Sequence, residues 1–472
     1  MRILFINPPF THPLRFPGKS RILFSGRDYS PPIGMMYVMS CVKQITDAEV
    51  RFFNFQVPKI PSLKAFEDNL LDFQPDVIGV TVNSFFWWSV RNLLERIRKL
   101  LPSVRIVGGG PHMWLAPEET LKNSEFDVIV QGEGEKTFVE LLEKIQSGDG
   151  FENIAGILYK ENGKIKMNVP RKIELNPDMF PFPDRTDFNV NQYRNPGNKS
   201  ADTTIVFTTR GCPHHCTFCN NRDRVYRRRL ASRVVDEILE CMEMGYKSID
   251  FGDSNFNNSS QHVKAVCEEL IRREVKIPWT CNARLDKIDY DLLALMAKAG
   301  CERICFGLES ADQAILDKIK KNINISKAHD VFAWARSLNI TIVGLFMIGF
   351  PGETVAQIKK TMDLAFQINA DYIICNILMP VYGTEIYEDA VKDPNFDVEF
   401  YRCFIRNPQP DATVPIWNTS ISAADLLRLH QRFYFKFYFR PSYLRRAIQR
   451  VSGFEDLKTK IRMTLRILFK FN

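Results

Sequence analysis

The chain contains no apolar run long enough to span a membrane. Its opening, Met1-Arg2-Ile3-Leu4-Phe5-Ile6-Asn7, meets Pro8-Pro9 too soon to form the apolar region of a secretory leader. A cytoplasmic, reducing setting is therefore expected, and disulfides are not. The first 200 residues hold one cysteine, Cys41, so no metal cluster of their own is expected there. Beyond Cys305 only Cys375 and Cys403 remain, which excludes an auxiliary cluster near the C-terminus. No G-x-G-x-x-G opens the first helix, which weakens a dinucleotide-binding reading. No RNA-binding module is recognisable either, so nucleic acid is not an expected partner.

The 472 residues suffice for two or three domains, and 45% hydrophobic with 25% charged residues is ordinary globular composition. The net charge of +8 is unevenly placed. One basic block (Arg222, Arg224, Arg227, Arg228, Arg229, Arg233) precedes another at the C-terminus. Each suits either an anionic partner or a solvated face.

The most informative feature is the run Cys212-Pro213-His214-His215-Cys216-Thr217-Phe218-Cys219, with C-x3-C-x2-C spacing and no fourth cysteine nearby. Three thiolates in a tight loop can hold three irons of a cubane iron–sulfur cluster and leave the fourth open to a ligand. A structural zinc would need a fourth ligand, for which His214 or His215 is available. Clustered core cysteines are the remaining alternative.

The pattern of apolar runs predicts two α/β domains. In residues 1–146, strands at Ile3–Asn7, Val50–Phe55, Val77–Val82, Val104–Val107 and Val128–Val130 alternate with helices, which predicts a doubly wound parallel sheet. Ligands of such sheets sit outside the carboxyl ends of the strands. These ends carry Asn7-Pro8-Pro9, Thr81-Val82-Asn83-Ser84, Gly108-Gly109-Gly110-Pro111-His112 and Gln131-Gly132-Glu133-Gly134-Glu135. Residues 147–200 read as a linker with a hairpin turning at Asn162-Gly163. Residues 201–390 repeat strand and helix six times, which predicts a partial (β/α)6 barrel with its site at the C-terminal strand ends. Those ends carry Asp253, Asn282-Ala283-Arg284, Gly307-Leu308-Glu309-Ser310 and Gly349-Phe350-Pro351-Gly352-Glu353. Residues 391–472 read as a helical extension rich in aromatics and basic residues, with Phe433, Tyr434, Phe435, Phe437, Tyr438 and Phe439 close together. A helical cap on the barrel and peripheral membrane contact both fit it.

These motifs together resemble the cobalamin (B12)-binding-domain radical S-adenosylmethionine (SAM) enzymes over roughly residues 1 to 390. The resemblance implies that Cys212, Cys216 and Cys219 ligate a [4Fe–4S] cluster. It implies that Phe218 packs beside the adenine of SAM, that Asp253, Arg284 and Glu309 face its amino, carboxylate and ribose groups, and that Gly349 borders the adenosyl portion. In the first domain Asn7, Ser84, Gly109, Gly110, Gly132 and Glu133 would border cobalamin. One departure concerns Asp-x-His-x-x-Gly, the motif that supplies a cobalt-ligating histidine. Around His12, Phe10 stands in place of the Asp and Arg15 in place of the Gly, so His12 reads as a loop histidine.

The expected activity is reductive cleavage of SAM to a 5′-deoxyadenosyl radical, used for C-methylation of an unactivated carbon. Radical cyclisation, rearrangement or oxidation is the alternative, and a cobalamin sensor with an inactive radical domain is the third reading. The expected partners are a small-molecule or lipid substrate and a one-electron reductant such as flavodoxin or ferredoxin.

Overall fold

The computed structural model describes residues 1–12, 14–15, 31–57, 59–188, 190, 202–441 and 443–445. These fall into two compact units. One comprises 1–15, 31–190 and 397–414, and the other 202–396 and 415–445.

In the first unit, β1 (Arg2–Asn7), α1 (Ile33–Ile45), β2 (Glu49–Asn54), α2 (Leu63–Phe73) and β3 (Val77–Thr81) are followed by α3 (Trp87–Leu100) and β4 (Arg105–Gly109). Then come α4 (Pro117–Lys122), β5 (Val128–Val130), α5 (Glu135–Ser147), β6 (Ile157–Glu161) and β7 (Lys164–Met167). The sheet runs β2-β1-β3-β4-β5-β6-β7, with β1 to β5 parallel. Ile3, Leu4, Phe5 and Ile6 are all buried, as a central parallel strand covered on both faces requires. The chain crosses from β1 to β2 on one side and returns to β3 on the other. The gap between the C-terminal ends of β1 and β3 is therefore the topological switch point where such sheets take ligands.

Two boundaries differ from those expected. The hairpin forms around Asn162-Gly163 as anticipated, but it does not belong to a linker. β6 pairs antiparallel with β5, and β7 with β6, so both extend the first sheet. Turn chemistry is local and legible, whereas docking on an edge strand depends on what that edge leaves unpaired. Residues 397–414, expected in a C-terminal extension of the barrel, belong to the first unit. Trp87 is fully buried, and its Nε1–H donates to the Ile405 carbonyl at 3.0 Å. Arg406 bonds Glu119 through two nitrogens, at 3.0 and 3.2 Å. Arg15 N–H donates to Ala412 (2.7 Å) and Val414 N–H to Arg15 (2.8 Å).

The second unit begins with β8 (Thr203–Val206), the short β9 (Thr209–Arg210) and β10 (Arg227–Arg228), and α6 (Ala231–Glu243). It continues through β11 (Ser248–Phe251), α7 (Ser260–Arg272), β12 (Trp279–Ala283), α8 (Tyr290–Lys298) and β13 (Cys301–Glu309). Next are α9 (Gln313–Lys318), α10 (Ala328–Ser337), β14 (Thr341–Ile348), α11 (Val355–Gln367), β15 (Tyr372–Ile377) and α12 (Glu385–Ala390). The remaining helices are α13 (Val398–Arg406), which packs in the first unit, and α14 (Ala423–Tyr438). The second sheet is all parallel in the order β15-β14-β13-β12-β11-β8. Winding one way without a return makes an open, six-stranded partial barrel.

An open barrel leaves β15 as an edge strand with unpaired backbone groups. The aromatic cluster of α14 resolves this. Tyr434 Oη accepts from Cys375 N–H (2.8 Å) and donates to the Cys375 carbonyl (3.2 Å). One turn later Tyr438 does the same for Ile373, at 3.1 and 3.0 Å. One turn earlier His430 Nε2 lies 2.9 Å from the Cys375 carbonyl, so that nitrogen carries the proton. Spacing of i, i+4, i+8 puts the three side chains in one row along the strand. Phe433 and Phe437 are buried beside them, and Phe435 is half exposed. This part of the aromatic segment is thus a barrel cap, while the basic stretch 458–472 lies outside the described residues. Among the described residues, no helix is long and apolar enough to cross a membrane.

Candidate cluster and cofactor sites

The three cysteines occupy the excursion between β9 and β10, which pair antiparallel and close its base. Gly211 enters it with φ of +76°, and a Cβ there would collide with the Val225 carbonyl. Cys212 N–H donates to the Asp223 carbonyl (2.9 Å) and Cys219 N–H to the Cys216 carbonyl (3.1 Å). Thr217 N–H reaches the Ile319 carbonyl after α9 (3.1 Å), and Ile386 N–H of α12 returns to the Thr217 carbonyl (3.1 Å). Two arginines of the basic block after the loop are structural. Arg227 pairs with Asp223, and buried Arg229 pairs with buried Glu237 at 2.6 Å.

All three thiols are partly exposed. Burial pushes the Cys216 thiol up, while the cations of Lys321 and Arg284 pull it down. Among the described residues, no three His, Cys, Asp or Glu groups converge as a single metal ion would need. The His214 imidazole faces Asn255, with Nε2 3.4 Å from Nδ2, and His215 is exposed. That arrangement does not fit the zinc alternative. A cubane gives each thiolate its own iron and needs no such convergence, so the donor set fits an iron–sulfur cluster.

The strand-end residues divide by role. Asp253, fully buried after β11, accepts from the backbone and hydroxyl groups of Thr208 and Thr209, including Thr208 N–H at 3.2 Å. Burial pushes its carboxyl up to about 6 against those hydrogen bonds. This carboxylate thus ties the end of β11 to the chain that leads into the cysteine loop. Arg284 stays at the end of β12. Its Nε–H donates to Asp286 (2.9 Å), and Nη2 to the carbonyls of Lys321 (2.7 Å) and Asn322 (3.1 Å). Glu309 ends β13 in a left-handed conformation, φ of +63°, where the register with β14 shifts. Its Oε1 accepts from Lys321 Nζ at 2.8 Å, and both side chains are nearly buried. Non-glycine residues in this region are rare and concentrate where function demands a side-chain direction. Gly307 lies against the pair: a Cβ there would sit 2.7 Å from Lys321 Nζ and 2.9 Å from Glu309 Oε1.

Gly349 follows β14 with φ of +87°. The turn after it is held by Glu353, whose Oε2 accepts from Gly349 N–H (2.6 Å) and Phe350 N–H (3.1 Å). Burial pushes the Glu353 carboxyl up to about 7, opposed by those bonds. Phe350 lies 6.4 Å from Phe218, centroid to centroid.

At the first unit's strand ends, Asn7 is buried and donates to Asn54 on β2 (2.9 Å). Ser84 Oγ is 3.0 Å from His112 Nδ1, and Thr120 is 3.4 Å from its Nε2. His112 is fully buried against Trp87, and burial drives its pKa down to about 3. It is a neutral scaffold histidine. His12 is bound to Asp411 at 3.3 Å. At Gly110, φ of +96°, an added Cβ would lie 2.9 Å from the Val82 backbone, so only glycine closes that turn. Gly109 instead opens on free space, and Gly132 is exposed beside Trp114. Glu133 is half-buried next to it. Phe10 and Trp114 remain exposed on these same strand-end loops. Open backbone edged by aromatics suits a broad, flat ligand such as a corrin.

Sequence reasoning missed Lys321. It sits in Lys318-Ile319-Lys320-Lys321, which reads as a solvated basic turn. No spacing signal distinguishes the one lysine that folds inward.

Family models match two parts of the chain: the B12 binding domain at residues 22–142, and the radical SAM superfamily at residues 206–365. An uncharacterized methyltransferase of Pyrococcus horikoshii is 27% identical over 100% of this chain and 99% of its own length. An anaerobic magnesium-protoporphyrin IX monomethyl ester cyclase of Rubrivivax gelatinosus is 26% identical over 87% of this chain and 74% of its own. The solved radical SAM methyltransferase TsrM of Kitasatospora setae, with cobalamin and a [4Fe–4S] cluster bound, shares the fold. Its TM-score is 0.66 at 19% identity, covering 83% of this chain and 75% of that one.

Proposed function

Because this chain belongs to the B12-binding-domain radical SAM enzymes, whose cofactors are a [4Fe–4S] cluster, SAM and cobalamin, we propose that it is a cobalamin-dependent C-methyltransferase acting on an unactivated carbon. When bound, the cluster and SAM supply a 5′-deoxyadenosyl radical that takes hydrogen from the substrate, and cobalamin supplies the methyl group. The observation that carries the reading is the conjunction of two prepared strand ends in one chain: a pinned three-thiol loop and an open glycine-rich rim.

In this reading Cys212, Cys216 and Cys219 hold the cluster, and Asp253 fixes the loop that carries them. Arg284 and Glu309 orient the polar end of SAM, the guanidinium toward a carboxylate and the carboxylate toward an ammonium or hydroxyls. Phe218, with Phe350 near it, would flank the adenine, and Gly349, whose missing side chain makes room for Leu426, would border the adenosyl portion. Asn7, Ser84, Gly109, Gly110, Gly132 and Glu133 would border the corrin, with Ser84 held by His112. The electron comes from a small carrier such as flavodoxin or ferredoxin. The substrate is a small molecule or a lipid, the latter if the basic C-terminus meets a membrane.

A second reading, radical ring formation or oxidation without methyl transfer, is favoured by the likeness to the ester cyclase. The test is an anaerobic reaction of iron-reconstituted protein with reductant and methyl-labelled SAM, with and without hydroxocobalamin. Cobalamin-dependent S-adenosylhomocysteine beside 5′-deoxyadenosine is the expected result. Deoxyadenosine alone, whatever the cobalamin content, would favour the second reading and remove the first.

A further inference from the structure

The turn that follows α9, Ile319 to Asn322, contacts each of three elements that carry the proposed cluster and SAM contacts. The Ile319 carbonyl accepts from Thr217, between Cys216 and Cys219 (3.1 Å). The Lys321 and Asn322 carbonyls accept from Arg284 at the end of β12 (2.7 and 3.1 Å). Lys321 Nζ donates to Glu309 at the end of β13 (2.8 Å). Two residues of the turn, Lys320 and Asn322, take left-handed backbone conformations, with φ of +55° and +52°. This winding turns Lys321 inward while Lys320 faces solvent and pairs with Glu385 at 2.7 Å. Non-glycine residues are uncommon in this conformation, so the turn persists because its contacts over-determine it.

From these contacts we infer that Lys321 is a positioning residue of the radical domain. It fixes the direction of the Glu309 carboxylate and holds its ammonium group on the turn bonded to the cysteine loop, where positive charge favours the more anionic, reduced cluster. The inference rests on the three cysteines holding a cluster and on Glu309 and Arg284 meeting SAM. It does not depend on methyl transfer.

Several observations support this assignment. A pair that is nearly buried interacts more strongly than a surface pair, since water screens it less. Breaking it leaves a charge without its partner, so it is not a replaceable surface contact. Gly307 lies against the pair, and a Cβ there would push on the ends of both side chains. The turn that carries Lys321 is bonded directly to the cysteine loop, the Ile319 carbonyl accepting from Thr217 N–H at 3.1 Å. Reduction adds negative charge to a thiolate-bound cluster. A fixed cation nearby therefore raises its reduction potential, and a fixed anion lowers it. The ammonium supplies charge and geometry only, and no bond to it forms or breaks.

The test uses full-length, iron-reconstituted protein and compares wild type with Lys321→Met, Lys321→Arg and Glu309→Gln. The readouts are iron and sulfide content, the midpoint potential of the SAM-free cluster, and SAM affinity from the change in the cluster's electron paramagnetic resonance signal. Lys321→Met is expected to lower the potential and Glu309→Gln to raise it, with both weakening SAM binding about tenfold or more. Lys321→Arg is expected to restore the potential while recovering SAM affinity in part, because the charge returns and the geometry does not. Loose packing alone would move both single variants the same way, so shifts of one sign, or none, would overturn the inference. If Lys321→Met fails to fold, Glu309→Gln and Lys321→Arg decide it: a rise in the first with no shift in the second supports the assignment, and any other pattern refutes it. A wild-type protein that carries the cluster and binds SAM but transfers no methyl group would refute the proposed function and leave this inference standing.

Discussion

The two candidate sites are built from opposite materials. At the barrel's strand ends, charged side chains are buried and already committed: Asp253 to the cysteine loop, Arg284 to two carbonyls, Glu309 to Lys321. At the strand ends of the first unit, the exposed elements are bare backbone and aromatics, Gly109, Gly132, Phe10 and Trp114, while the polar groups Asn7, Ser84 and His112 satisfy one another or the sheet. The contrast follows the ligands proposed. A small, zwitterionic cosubstrate on an anionic cluster is oriented by fixed charges, since a charge held in a dry site keeps its direction and strength. A large, flat macrocycle is held by area, and glycine removes the side chains that would keep it away.

Removing a cysteine should give the largest effect. Cys216→Ala is expected to abolish cluster binding and deoxyadenosine formation, read from iron content and product analysis, while hydroxocobalamin still binds with its usual visible spectrum. The contrast sharpens at Gly109. Its open surroundings let Gly109→Leu fold, but the added side chain occupies the rim, and cobalamin affinity should fall at least about tenfold with SAM cleavage retained. A cobalamin titration with a matched deoxyadenosine assay checks it.

The next effect concerns stability of the second unit. Tyr434→Phe strips the Cys375 N–H of its partner and leaves the Cys375 carbonyl to His430 alone, and should destabilise the protein by about 1–3 kcal/mol, measured by denaturant unfolding. The smallest is a pH effect at Glu353. Its carboxyl is raised from 4.5 to about 7 in the folded protein, so the folded state keeps a proton that the unfolded chain has released. The stability it contributes is full below about pH 4.5 and is lost as the pH rises through 7. Glu353→Gln keeps an acceptor for Gly349 and Phe350 but cannot titrate. Melting temperatures of the variant should therefore vary less between pH 5 and pH 8 than those of wild type.

Much of this was legible in the sequence for a physical reason. A strand buried on both faces, such as Ile3–Ile6, must be a continuous apolar run, and glycine and acidic residues at strand ends mark the loops. Val355–Gln367 appears as the helix its pattern predicts, opened by a Thr354–Gln357 capping box. What stayed hidden depends on partners far along the chain. Nothing near Asn162-Gly163 says that the hairpin will extend the first sheet, and nothing in residues 397–414 says that they will pack on Trp87. Asp253 could be read as a strand-end acid, but not as the acceptor for Thr208 and Thr209. Lys321 is one of several lysines until a left-handed turn singles it out.

The central claim is that one chain carries two separable sites, one for radical generation and one for cobalamin. It is tested most directly by a single anaerobic turnover experiment with methyl-labelled SAM on wild type, Cys216→Ala and Gly109→Leu. The account predicts both deoxyadenosine and cobalamin-dependent S-adenosylhomocysteine from wild type, neither from Cys216→Ala, and deoxyadenosine alone from Gly109→Leu. Loss of deoxyadenosine in Gly109→Leu, or unchanged S-adenosylhomocysteine in it, would contradict the claim.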